Sequence, residues 1–92
     1  GFVPFIQAGP AIIALHLEPG GIIPEHEAPH PIICIMLRGS GFVRVGGPHA
    51  PTQAVQAGDA VLWPPNVLHA AWATDDQMDM LTVEYAPELA TP

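Results

Sequence analysis

Gly58-Asp59-Ala60-Val61-Leu62-Trp63-Pro64-Pro65-Asn66-Val67-Leu68-His69 alternates turn, strand, turn and histidine, and that rhythm sets the fold class of the whole chain. Gly58-Asp59 is a tight-turn pair, Ala60–Trp63 is an apolar run of strand length, and Pro64-Pro65-Asn66 breaks the run before Val67-Leu68 resume it. His69 then stands near the start of a new strand, placed by backbone that the prolines hold rigid. Such a position suits a metal ligand or an acid/base group. A half-buried histidine satisfied by a neighbour fits the same local pattern.

The rhythm extends in both directions. Residues 52–56 read as a short, more polar strand ahead of the Gly58 turn, and 46–51 as a loop with His49 exposed. Residues 32–37 are a continuous apolar run, the pattern of a fully buried strand, bounded by Pro31 and by Gly39-Ser40-Gly41. Residues 42–45, beyond the glycines, read as its hairpin partner. Residues 22–31 hold two histidines, two acids and three prolines, which excludes a helix and leaves a short strand feeding a loop. Residues 11–17 form a strand ended by Pro19-Gly20-Gly21, with His16 and Glu18 on the face of Ile12 and Ala14, turned to solvent or paired locally. An apolar lead-in occupies residues 2–6. Downstream, residues 68–73 and 78–85 read as strands separated by a turn at Thr74-Asp75-Asp76, and the tail from Pro87 reads as loose.

Nowhere does a helical period of about 3.6 residues persist for three turns. The 12 prolines and 9 glycines instead cut the chain into short pieces. Seven or eight such strands with near-regular turn signals predict an all-β fold: a small antiparallel β-barrel, or jelly roll.

Ninety-two residues, 49% of them hydrophobic, support one domain with one modest core. No apolar run approaches the roughly 20 residues that a membrane-spanning helix needs. Nine acidic residues face only Arg38 and Arg44, a formal net charge of -7. Phosphate backbones and anionic membranes are repelled by such a surface, so neither nucleic acid nor membrane is an expected partner. The single cysteine, Cys34, forms no internal disulfide and sits in an apolar run, as an inert core thiol does in a reducing, cytoplasmic setting. No phosphate loop, nucleotide fingerprint or nucleophile beside a base occurs. The chain begins at Gly1 rather than methionine, so a missing leader carries no weight.

Two turn-and-histidine patterns now fall into register with a known family. Gly20, His26 and Gly39 match a signature of Gly, five residues, H-x-H, three or four residues, Glu, six residues, Gly. Gly58, Pro64 and His69 match a second, in which Asn66 stands where Gly is usual and Ala73 where the final Asn is usual. Both Asn and Gly accept positive φ. Eighteen residues, 40–57, separate the two signatures. The chain thus resembles a small single-domain cupin of the RmlC-like jelly-roll superfamily, with the signatures covering residues 20–73 of a domain expected to span 1–92.

The resemblance implies three histidines and a glutamate as metal ligands. Only His26 and His69 stand at such positions, while Ala28 replaces the second histidine and Ile32 the glutamate. His30, pinned between Pro29 and Pro31, shares strand parity with 26 and 28 and offers a substitute. One reading therefore has His26, His30 and His69 hold a divalent transition metal (Zn, Fe, Ni or Mn) for dioxygenase, isomerase or lyase chemistry on a small organic molecule. A second has a metal-free, non-catalytic pocket for an apolar small molecule, lined by Ile32, Cys34, Met36 and Trp63 and oriented by His26 and His69. A third has the interior packed solid. A short sheet with few charges on its edges is also expected to form a homodimer, through residues 2–6 and the strand at 11–17.

Overall fold

The computed structural model describes residues 11–84, which form six strands. They are β1 (Ala11–Leu17), β2 (Ile22–His26), β3 (Ile32–Val45), β4 (Thr52–Gln56), β5 (Ala60–Trp63) and β6 (His69–Glu84). All pairings are antiparallel. The lead-in at 2–6 and the tail from Pro87 lie outside the described residues.

β3 and β6 run side by side along their whole length, from Val45 opposite His69 to Ile32 opposite Glu84. Each changes its outer neighbour half-way. The first half of β6 pairs with β2 and the second with β1, while the first half of β3 pairs with β5 and the second with β4. Two four-stranded layers result, β2-β6-β3-β4 and β1-β6-β3-β5, and both contribute to one core. Val43, Val55, Ala71 and Ala73 come from the first layer; Ile32, Cys34, Met36, Trp63, Met78 and Met80 come from the second. The fold is an all-β double-stranded β-helix, the jelly roll that the sequence predicts.

The expected hairpin at Gly39-Ser40-Gly41 and the expected turn at Thr74-Asp75-Asp76 are both corrected. Each falls inside a strand that keeps its direction while crossing from one layer to the other. The inward parity records the crossing: Ile32, Cys34 and Met36 are buried before it on β3, and Gly41 and Val43 after it. On β6 the switch is from His69, Ala71 and Ala73 to Met78, Met80 and Thr82. A strand's side chains alternate strictly, so such a switch requires a register shift. Two shifts supply it: one between Met36, opposite Met80, and Arg38, opposite Asp79, where β3 changes parity, and one between Gly39, opposite Met78, and Gly41, opposite Ala73, where β6 does. Glycine is needed because backbone meets backbone. Gly39 has φ 80°, and a Cβ on it would lie 1.8 Å from the Gln77 carbonyl oxygen; one on Gly41 would lie 2.3 Å from that of Trp72.

His16 fastens the edge strand β1 to β6. Its Nδ1 meets the Asp79 carboxylate, its Nε2 lies 3.1 Å from Glu18 Oε1, and both contacts are exposed. Hydrogen bonding to Asp79 first, then to Glu18, raises its pKa.

Two outcomes are expected. Gly39→Ala places a side chain at positive φ against a backbone oxygen and should cost about 2–4 kcal/mol, read as a lower urea midpoint with an unchanged slope. The His16 ring should titrate above 6.5 by NMR. Because its folded pKa is raised, the stabilisation it gives is complete below 6.5 and is lost as pH rises through the folded value. A midpoint at or below 6.5 would contradict this contact.

Candidate functional site

A cavity of about 400 Å³ opens where β2 ends and β3 begins, between the two layers. Ile13 and Leu15 of β1, Ile23 and His26 of β2, and Trp63 of β5 line it, with Thr82 and Glu84 from the end of β6. Ala28 and Ile32, which stand at the two apolar ligand positions of the first signature, line it as well.

His69 opens β6 directly behind the Pro64–Asn66 turn. Asn66 takes φ 60°, the conformation its glycine-like place requires, and its N–H donates to the Ala28 carbonyl at 2.7 Å. That bond ties the loop before His69 to the loop after His26. β2 pairs His26 with His69 across a bulge at Ile23–His26, and the two rings meet edge to face with centroids 4.4 Å apart. The indole of Trp63 stacks on the His69 ring, 4.0 Å away and 12° from parallel. His69 is fully buried, whereas His26 is exposed.

Hydrogen bonding sets what the pair can do. His26 Nδ1 lies 2.8 Å from the Pro24 carbonyl oxygen, and His69 Nδ1 lies 3.2 Å from that of Val67. A carbonyl only accepts, so each Nδ1 carries the hydrogen, and in the neutral rings both Nε2 atoms are left as acceptors. Those two lone-pair atoms face each other at 3.2 Å. Two acceptors this close repel unless a cation lies between them: a proton or a metal ion. Nitrogens bound to one ion at about 2.0–2.1 Å in adjacent positions stand about 2.9–3.4 Å apart, which includes the observed separation. A ring N–H given to a backbone carbonyl is also the usual support of a metal-bound histidine. Burial, and next the neighbouring His26, lower the pKa of His69; the Val67 carbonyl and the charge of Glu25 oppose this.

The sequence-predicted residues divide. His26 and His69 are brought together, and Ile32 and Trp63 line the cavity beside them. His30 is not brought to the pair, and among the described residues no three histidine, cysteine, aspartate or glutamate side chains converge as a metal site. His30 shares the parity of His26 only in an extended segment, but β2 stops at His26 and the chain bends at Pro29-His30. Parity reaches Ala28 and ends there. Cys34 and Met36 are packed in the core between the layers, outside the cavity lining, and burial pushes the Cys34 thiol up to about 12. Thr82 and Glu84 escaped the sequence reading, although the parity of the last strand was the signal for them. The Trp63 indole Nε1 is buried without a hydrogen-bond partner among the described residues.

Residues 14–84 match the family described as the cupin domain. The chain belongs to the cupin family. Among solved structures, a cupin-like protein of Thermotoga maritima is 26% identical with a TM-score of 0.80, over 94% of this chain and 64% of that one. A predicted oxalate decarboxylase of the same organism has a TM-score of 0.78 at 18% identity, over 89% and 71% of the two chains. The DMSP lyase DddQ of Ruegeria pomeroyi has a TM-score of 0.78 at 22% identity, over 92% of this cupin but 42% of the lyase. This cupin therefore spans two thirds or less of several such relatives. No curated protein matches it.

In chelator-treated protein, nitrogen-15 NMR should show both rings of the pair as the Nδ1–H tautomer above the pH at which they take up a proton. An Nε2–H tautomer on either ring would remove the facing acceptors.

Proposed function

We propose that this cupin binds a small organic molecule in the cavity, next to a divalent transition metal (Zn, Fe, Ni or Mn) held by His26 and His69. The observation that carries the reading is the pair of Nε2 acceptors 3.2 Å apart, each ring fixed through its Nδ1 by a backbone carbonyl. The pair fits two adjacent positions of one ion. Water or the bound molecule would complete the ion's coordination, since Ala28 and Ile32 bring no donor. A metal bound there supplies a Lewis acid. The chain's own residues bind and orient: Ile13, Leu15 and Ile32 remove water from an apolar part of the ligand, and Glu84 puts one acid on the same wall. The relatives that are a lyase and a predicted decarboxylase support chemistry on a small molecule, of lyase, isomerase or dioxygenase type.

A metal-free reading is favoured by one feature, the apolar residues at both lost ligand positions. In it the histidines share a proton, and the cavity binds a ligand without catalysis. Either way the working unit is a cytoplasmic homodimer. The net charge of -7 argues against nucleic acid and anionic membrane as partners. No helix of the described residues is long and apolar enough to cross a membrane.

Elemental analysis of untagged protein purified without chelator should find about one transition metal per chain. His69→Ala and His26→Ala should abolish it and His30→Ala should leave it unchanged. Ala28→His with Ile32→Glu, which refills the cavity wall with donors, should tighten binding at least tenfold. Full metal content in His69→Ala, or none in the native protein, would overturn the metal reading in favour of the metal-free pocket.

A further inference from the structure

The polar side chains on the cavity wall share one bias: they offer acceptors. His26 gives its Nδ1 hydrogen to the Pro24 carbonyl, so its Nε2 presents a lone pair. Thr82 Oγ1 donates to the Ile13 carbonyl at 3.3 Å, which leaves only the lone pairs of that oxygen for a ligand. Glu84 brings a carboxylate, an acceptor at both oxygens when ionised. The one other side-chain N–H on the described wall is Trp63 Nε1, and that atom is buried out of a ligand's reach. Neither arginine of this lysine-free chain balances the Glu84 charge: Arg38 lies 3.9 Å from Asp79, and Arg44 lies 3.5 Å from Glu25.

Register shows where the carboxylate stands. Antiparallel partners directly opposite each other project to the same side, and Ala11, Glu84, Ile32 and Trp63 form one such row across β1, β6, β3 and β5. Glu84 is thus the neighbour of Ile32, the apolar residue at the glutamate position of the first signature, with an acid set one strand over at about 4.8 Å. Trp63, on which the His69 ring stacks, is two strands from Glu84, about 10 Å away. No third ligand joins the histidine pair among the described residues, so the Glu84 charge is left for the bound molecule. Beside it lies apolar surface: Ile13, opposite Thr82, lines the cavity and is still 52% exposed, and Leu15 continues that wall.

We propose that the cavity takes a small alkylamine, its protonated ammonium on the Glu84 carboxylate and its alkyl body against Ile13 and Leu15. This rests on the cavity being the ligand site of the proposed function, and it does not rest on the metal. An ammonium has three N–H donors and no acceptor, which matches a wall of acceptors, and it brings the counter-charge that the wall lacks. A carboxylate head would set acceptor against acceptor and charge against like charge, with no arginine there to receive it. The net charge of -7 acts in the same direction, since it draws cations toward the protein from solution. An alcohol falls between the two, because it donates one hydrogen bond and carries no charge.

Three probes of equal chain length test the assignment: n-hexylammonium, hexanol and hexanoate. Each is titrated into the full chain, as purified and after chelator treatment, with the methyl signals of Ile13, Leu15 and Ile32 followed by NMR. Hexylammonium should shift these signals in both samples. In the chelator-treated one, where no metal ion can hold a carboxylate, it should bind saturably and about tenfold or more tighter than hexanoate, with hexanol between them. Glu84→Gln keeps the shape and removes the charge, so it should weaken hexylammonium about tenfold and leave hexanol within about twofold. If that variant does not fold, the order of the three probes on the native chain decides alone. The proposal is overturned by hexanoate binding as tightly as hexylammonium in the chelator-treated chain, or by a folded Glu84→Gln chain that keeps the preference for the ammonium. Hexanol shifting the cavity signals where hexylammonium does not would sink the amine and keep the cavity as a ligand site. Silence from all three probes overturns both, while metal content, measured separately, bears only on the histidine pair.

Discussion

Everything in this cupin hangs on one contact between backbones, the close pass of β3 over β6 at Gly39 and Gly41. Neither position tolerates a Cβ, since Gln77 and Trp72 carbonyl oxygens occupy the space. Because the pass is so tight, one residue of β3, Ser40, faces residues 74–77 of β6, and the inward parity of β6 switches there, while that of β3 switches at the neighbouring bulge between Met36 and Arg38. Without the switch, one half of each long strand would turn its apolar residues outward. Met36, Met78 and Met80 fill the core beside this pass, and flexible thioethers suit the irregular space that a bent strand leaves.

The histidine pair depends on the same geometry. β6 starts at His69 and ends at Glu84, and the corner that folds its second half under its first puts Glu84 on the cavity wall and His69 behind the wall residues His26 and Trp63. β2 adds His26 through its pairing with the first half, and β1 closes the wall through its pairing with the second. The polar atoms of the site are fixed by main chain: Pro24 and Val67 carbonyls hold the rings, and the Asn66 to Ala28 bond holds the loops together. An arrangement fixed by main chain survives changes of side chain around it. Apolar residues can therefore stand at positions 28 and 32 without scattering the two histidines that remain.

Much of this was legible in the sequence where the determinants are local. β1, β4 and β5 begin and end where turn residues and apolar runs place them, and Asn66 takes the positive φ that its place in the motif requires. The spacing from Gly20 to His26 and from Gly58 to His69 marked the two residues that meet. What stayed hidden depends on partners far along the chain. Gly39-Ser40-Gly41 has the composition of a hairpin turn, and only the passing β6 backbone makes it a corner. His30 shared parity with His26 on paper, but the chain leaves the extended conformation before reaching it. The parity of the last strand turns Thr82 and Glu84 inward, but only register with β1 and β3 makes that inward face a cavity wall.

The nested pairing of β3 with β6 also bears on how the chain reaches its fold. Val45 and His69 pair across 24 residues of sequence, and Ile32 and Glu84 across 52. Loop-closure entropy grows with the logarithm of length, so the inner end closes at the lower cost and each further pair shortens the search for the next. The ladder then zips outward and must pass the glycine corner before the methionines can be buried. Until it does, residues 32–37 lack their β6 partner in a chain whose acidic charge supplies its main defence against self-association. The corner is thus a kinetic checkpoint as well as a bend.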